Sequence, residues 1–162
     1  MAERTITCYT FSKTYAMTGW RAGYAVAKEP FMTALRKIVL YSTNGVTTFV
    51  QNAMIEALKT PETEIARLRE EYRKRRDLIV AGLNEVGLEC EPPAGAFYAF
   101  PNVEKVQKNS MTAAQILLEK AHIATIPGSV FGAQGEGHLR FGYAISIGEI
   151  EACVEALRVF LG

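Results

Sequence analysis

A chain of 162 residues, 49% hydrophobic and 22% charged, is long enough for one domain with its own core or for a compact piece of a larger fold. Its net charge is +1 with the charges interspersed, which predicts neither a nucleic-acid nor an anionic-membrane partner. No apolar run nears the roughly 20 residues that span a bilayer, and Met1 to Thr5 lack the apolar stretch of a secretory signal. Three widely spaced cysteines, Cys8, Cys90 and Cys153, make no CxxC pair and no disulfide framework, so a reducing, cytoplasmic setting is expected. His122 and His138 stand too far apart in sequence to suggest a zinc site and read as structural or surface residues.

Taken in chain order, the β-branched and aromatic stretch Thr5 to Tyr9 predicts a short strand, and Phe11 to Arg21 a loop of small and polar residues. Ala22 to Ala27 predicts the next strand. Pro30 suits the first turn of a helix that should run to about Val39, before Asn44-Gly45 breaks the chain. Thr47 or Thr48 can cap a helix reaching about Leu58. Pro61 opens a longer one, in which Ile65, Leu68, Tyr72, Ile79, Leu83 and Val86 share a face. The charged run Arg67 to Arg76 lies mostly on the other face. Glu70, Glu71 and Asp77 interrupt its basic residues, which predicts a solvated surface rather than a binding patch. Gly87 ends this helix.

The second half alternates strands and helices. Strands are expected at Leu88 to Cys90, Ala96 to Phe100, Ile123 to Ile126 and Leu139 to Ala144. Ser110 or Thr112 should cap a helix through about Ala121. Ser146 and Glu149 have capping-box spacing, and the helix they start should turn Ile150, Val154, Leu157 and Leu161 inward. Alternating elements predict an α/β or α+β layered architecture.

The segment Thr10-Phe-Ser-Lys-Thr-Tyr-Ala-Met-Thr-Gly-Trp-Arg-Ala-Gly-Tyr24 concentrates the chemistry. Lys13 stands among hydroxyls, and a lysine amine becomes a nucleophile when burial or nearby positive charge favours its neutral form. Arg21, eight residues on, could supply that charge. Thr10, Ser12 and Arg21 offer two hydroxyl donors and a guanidinium fork to a phosphate. Gly19 and Gly23 would let the backbone turn tightly and approach a ligand. On residue chemistry alone, a polar surface loop with a solvated lysine remains equally open. So does the choice, for Tyr15 and Trp20, between bordering a ligand and packing a core. The alternating aromatics Phe97, Tyr98 and Phe100 read as core packing. Arg140 by itself reads as a surface arginine at a strand end.

The stretch from Ser12 to Tyr24 resembles the lysine signature of class I/II aminotransferases, the fold type I enzymes that use pyridoxal 5'-phosphate. Three further segments are similar to family motifs: Pro93-Ala-Gly-Ala-Phe-Tyr-Ala-Phe-Pro101, Ile126-Pro-Gly-Ser-Val-Phe-Gly132 and Gly135-Glu-Gly-His-Leu-Arg-Phe-Gly-Tyr-Ala144. The resemblance thus covers the whole chain. It implies that Lys13 holds the cofactor as a Schiff base and then moves a proton, and that Arg21 binds the cofactor phosphate. Thr10, where serine is commoner in the family, and Ser12 complete the implied cofactor-binding set. Arg140 is the implied partner of the substrate α-carboxylate, a task suited to a bidentate fork.

The resemblance also implies a homodimer that transfers an amino group between an amino acid and a 2-oxo acid. Residues 1–60 would be the end of the large cofactor-binding domain. Residues 61–162 would be the small carboxy-terminal domain, with 61–87 a long linking helix. In relatives the carboxylate that pairs with the pyridine nitrogen, the ring-stacking aromatic and the glycine-containing phosphate loop all precede the lysine. Lys13 stands near the start of this chain, so the expectation is a fragment that binds the cofactor weakly and turns over poorly. Two other readings stand beside it: a lyase or synthase on the same fold, and a non-catalytic domain serving folding or oligomerisation. A serine-type acyl enzyme, suggested by the Thr10-x-x-Lys13 spacing, lacks its Ser-Asp-Asn and Lys-Thr-Gly partner motifs.

Overall fold

The computed structural model describes residues 2–162, which form two compact units, one extending to Arg67 and the other covering Leu68–Gly162. Among the described residues, no helix is long and apolar enough to cross a membrane.

The first unit is built on an antiparallel pair, β1 (Thr7–Thr10) and β2 (Gly23–Val26), with Thr7 opposite Val26 and Thr10 opposite Gly23. Tyr9 and Tyr24 face each other across the pair and stack at 4.9 Å, the kind of cross-strand aromatic contact that fixes register. Gly23 is dictated by this closeness, since a Cβ there would lie 2.5 Å from the Tyr9 carbonyl oxygen. Two helices follow, α1 (Phe31–Thr43) and α2 (Thr48–Ala57). The first outruns its predicted end at Val39. It stops only where Asn44 turns left-handed (φ 53°) and returns its N–H to Leu40, as asparagine can do at little cost. Thr47 is the N-cap residue of α2. Few side chains here are buried; Phe11, Met17, Ala22 and Val50 are the hydrophobic ones, and none belongs to α1.

The helix α3 (Glu62–Glu85) contains the boundary between the units. Its surface ion pairs Arg67–Glu64, Arg73–Glu70 and Lys74–Glu71 are exposed and spaced i,i+3, as a solvated face predicts. It ends in a Schellman turn: the Leu88 N–H reaches the Leu83 carbonyl at 2.9 Å, the Gly87 N–H reaches Asn84 at 3.0 Å, and Gly87 takes φ +79°.

In the second unit, β3 (Tyr98–Ala99), β4 (Ile126–Pro127) and β5 (Leu139–Gly142) form an antiparallel sheet of order β3-β5-β4. Two helices, α4 (Ser110–Ala121) and α5 (Ile147–Leu161), complete it. The core draws on every layer: Leu83, Leu88, Leu117, Leu139, Ile150 and Leu157 are all fully buried. Each such side chain contributes about 1.5–3 kcal/mol relative to exposure. On the predicted face of α3, Ile79 and Leu83 are buried and Tyr72 packs against the core from its edge. The predicted capping box at Ser146 and Glu149 is present, and Ile150, Val154 and Leu157 of α5 are buried.

Three local expectations are corrected. The strand expected at Ile123 to Ile126 begins only at Ile126 and takes in Pro127. Leu88 to Cys90 is extended but forms no strand. The Asn84 side chain takes both backbone groups of Cys90, donating to its carbonyl at 3.0 Å and accepting its N–H at 3.0 Å, in place of a neighbouring strand. The N-cap of α4 is Asn109, not Ser110 or Thr112; its Oδ1 accepts the Thr112 N–H at 2.9 Å, while Ser110 is fully buried.

Candidate functional site

The loop between β1 and β2 carries Ser12, Lys13 and Arg21, with Thr10 at the end of β1. It hangs from Phe11, whose ring is 1% exposed and stacks on Tyr15 at 5.2 Å. The Phe11 carbonyl accepts the N–H groups of both Tyr15 and Met17, and the Phe11 N–H donates to Ala22 across the loop's mouth. Inside this closed turn the Thr10 and Ser12 hydroxyls lie 3.0 Å apart, and Thr10 Oγ1 accepts the Ser12 N–H at 3.1 Å. Ser12 is buried although polar. Lys13 is the next residue; its side chain is exposed and its carbonyl accepts the Ala16 N–H.

Two residues of the loop other than glycine, Ala16 (φ 53°) and Arg21 (φ 54°), are held in the left-handed region. Such strain persists where the surroundings enforce it and concentrates at ligand sites. Arg21 Nη1 donates to the Thr18 carbonyl at 2.9 Å, which curls the guanidinium back over its own 3-10 turn, Thr18–Trp20. Strand pairing sets Thr10 opposite Gly23, two residues beyond Arg21, so both reach the same end of the pair. Gly19 and Gly23 play other parts than expected. Gly19 has open space around its Cα and no left-handed backbone, and Gly23 makes room for its partner strand. Trp20 is half-exposed, its ring 6.4 Å from Phe49.

Arg140 lies in the second unit, on β5. Leu139 and Phe141 point into the core, so strand alternation turns Arg140 to the opposite face. Tyr98 on β3 pairs with Gly142 and is therefore the diagonal neighbour of Arg140 on that face. The Arg140 guanidinium carbon stands over the Tyr98 ring at 4.3 Å and over the Phe131 ring at 5.0 Å, a cation–π arrangement. The expectation that the alternating aromatics pack a core holds for Phe97 alone, which joins the core's edge and stacks with Tyr72 at 6.0 Å. Tyr98 attends Arg140, and Phe100 stacks on His138 at 5.3 Å. The spacing of these aromatics shows that they alternate, and only the strand register shows which of them meets the arginine.

Glu136, which sequence reasoning passed over, accepts the Ser110 N–H at 2.5 Å and the Gly137 N–H at 3.4 Å. The Ser110 backbone bond, foremost, holds its carboxyl below the usual range against the opposing effect of burial. Burial pushes the Tyr143 phenol up, and its hydroxyl donates to the Ala96 carbonyl at 3.3 Å. The thiols of Cys90 and Cys153 are also raised by burial, the opposite of what a reactive thiolate needs. A groove of about 460 Å³ between α3 and α5, lined by Gly82, Glu85, Glu155 and Arg158 among others, contains none of the predicted site residues.

Relatives share this architecture. A family model for class I and II aminotransferases matches residues 1–157. A putative aminotransferase of Bacillus subtilis, YugH, is 41% identical over 161 residues, covering 99% of this chain and 42% of its own length. An aspartate aminotransferase of Pyrococcus horikoshii is 42% identical over 147 residues, 89% of this chain and 38% of its own. The solved aromatic aminotransferase of Pyrococcus horikoshii superimposes with a TM-score of 0.91 at 39% identity, over 99% of this chain and 44% of that one. The aspartate aminotransferase of Rhizobium meliloti gives 0.89 at 34% identity, over 99% and 42%. The chain therefore spans about two fifths of the length of these relatives. Its mixed helix-and-sheet architecture is part of the fold type I arrangement, as the sequence predicts. A family match over nearly the whole chain and a shared fold lead to one conclusion: the chain belongs to the class I and II aminotransferase family.

Proposed function

We propose that this chain carries the lysine and the carboxylate-binding arginine of a pyridoxal-phosphate aminotransferase acting on an amino acid and a 2-oxo acid. The single observation that carries the reading is the closed turn in which the Thr10 and Ser12 hydroxyls meet immediately before Lys13. The donor set fits a phosphate monoester: two hydroxyls, and a guanidinium whose backbone is held left-handed at the same end of the strand pair. Thr10, Ser12 and Arg21 would hold the phosphate, and Lys13 Nζ would hold the cofactor as a Schiff base.

The cofactor, when bound, supplies an electron-accepting ring. Lys13 Nζ would be the group that takes and returns a proton there, and its place beside a buried, hydrogen-bonded serine limits its backbone freedom. Arg140 orients the substrate by its carboxylate, with the Tyr98 ring packed on the guanidinium. Residues 1–60 act as part of the cofactor-binding domain and 61–162 as the small domain, with 61–87 linking them. The working form is a cytoplasmic homodimer. The family's aminotransferase relatives favour transamination over lyase or synthase chemistry.

Borohydride reduction of the chain incubated with pyridoxal phosphate, followed by peptide mapping, tests the reading. The label should fall on Lys13, vanish in Lys13→Ala and need more cofactor in Arg21→Ala. Label spread evenly over the surface lysines would overturn it. Turnover with an amino acid and 2-oxoglutarate should be low, because the chain spans only about two fifths of the length of its aminotransferase relatives.

A further inference from the structure

Around Arg140 the chain builds a support out of residues from three separate segments. Glu136 accepts the N–H of Ser110, the first residue of α4. Ser110 is fully buried, donates its hydroxyl to Ser129 Oγ at 3.0 Å, and accepts the Ser129 N–H at 3.3 Å. Ser129 lies in the 3-10 turn Gly128–Phe131, which the Gly132 N–H closes on the Ser129 carbonyl at 3.1 Å. The same turn is pinned at its start, where the Gly128 N–H donates to His138 at 2.8 Å. Backbone there approaches backbone so closely that a Cβ on Gly128 would lie 1.9 Å from the Gly135 carbonyl oxygen. Phe131 ends the turn, its ring 5.0 Å from the Arg140 guanidinium carbon.

An arginine side chain is among the most costly to immobilise, and a bidentate partner requires its fork in one orientation. Rings packed against the guanidinium restrict it before any ligand arrives, which is preorganisation. Tyr98 is placed by the sheet register. Phe131 is not on a strand, so something must fix its turn. We propose that Glu136 is a positioning residue for Arg140, acting through Ser110, Ser129 and Phe131. The meaning of this for substrate rests on Arg140 being the carboxylate-binding group, whereas the placement of the guanidinium does not. A residue that only capped α4 would affect stability and leave the environment of Arg140 as it was.

Ring packing gives a direct readout. In the ¹⁵N-labelled chain, the Arg140 Nε–Hε resonance, assigned by its loss in Arg140→Lys, should lie upfield of ordinary arginines. Phe131→Leu should return it part of the way. Glu136→Ala should produce the same return, and Glu136→Gln should not, because its amide oxygen still accepts the Ser110 N–H. Ser110→Ala removes both hydroxyl contacts to Ser129 while its N–H stays on Glu136, and should move the resonance whether or not Glu136→Ala folds. An unmoved resonance in a folded Glu136→Ala or Ser110→Ala chain overturns the proposal, as does an unmoved resonance in Phe131→Leu. Titration with succinate separates the two readings. Succinate should perturb Arg140 in the parent and bind severalfold more weakly in Glu136→Ala. If succinate leaves Arg140 untouched while the variants still move its resonance, the carboxylate role fails and the positioning role stands.

Discussion

Gly82 of α3 packs directly on Val154 of α5: a Cβ at position 82 would sit 2.3 Å from Val154 Cγ2 and 3.1 Å from Val154 Cβ. Both residues are buried, so the contact sets how closely the two helices approach. Gly82→Ala should destabilise the chain by about 1–3 kcal/mol through overpacking, despite alanine's better helix propensity. Val154→Ala in the same chain should relieve part of that loss, giving a coupling a double-mutant cycle can measure by urea unfolding. Strict additivity of the two changes would show that the helices simply move apart.

Ser146 starts α5 with a complete capping box, donating to Glu149 Oε2 at 2.7 Å and accepting the Glu149 N–H at 3.3 Å. Ser146→Ala should cost about 1 kcal/mol. The Ser146 hydroxyl and N–H hold the Glu149 carboxyl below its usual value of 4.5. A carboxylate with a depressed folded pKa stabilises above its unfolded value, and that contribution is lost as pH falls through the folded one. Glu136 behaves in the same way. Stability should therefore decline below about pH 4.5, and the decline should be shallower in Ser146→Ala. Parallel acid limbs in parent and variant would count against the assignment.

At the other end of the pH scale, Tyr143 is 2% exposed and its phenol is raised above 10.0, chiefly by burial. A raised acid contributes stability that is fully present below its unfolded value and fades as pH climbs through the folded one. Unfolding midpoints should thus fall above about pH 10. Tyr143→Phe should lose about 0.5–1.5 kcal/mol at neutral pH, with the hydrogen bond to Ala96, and show a flatter alkaline limb. An unchanged alkaline limb in Tyr143→Phe would assign it to other groups.

Arg140→Lys keeps a positive charge but removes the fork and the planar face packed over Tyr98. Hydrogen bonds to a charged group contribute about 1.5–3 kcal/mol. Succinate affinity should therefore fall about tenfold or more, as read by isothermal titration. Equal affinity in parent and variant would show that charge alone attracts the carboxylate.

Much of this was legible in the sequence for definite reasons. The long helix was visible because its apolar residues recur at helical intervals and Gly87 supplies the left-handed stop. The capping box was visible because both of its members are local. The segment Leu88 to Cys90 reads as a strand but is not one, because Asn84, a helix residue, supplies the bonds a neighbouring strand would have made. The lysine loop was readable as a motif, but its hub was not: nothing in the spacing marks Phe11 as the buried anchor. The support around Arg140 is invisible in the sequence because Ser110 and Glu136 are 26 residues apart and meet only in the folded chain. Motif residues are local features of the sequence, and the contacts joining them are tertiary.

The sparse burial of the first unit has a thermodynamic consequence. No side chain of α1 is fully buried, whereas the second unit closes around a continuous core. A helix without an anchored face gains little from the cooperativity of its neighbours and opens as a local event. Amide exchange in α1 should then be fast while Leu83, Leu117 and Leu157 remain protected. The residues beside Lys13 would then sample open states that those beside Arg140, next to the continuous core, do not.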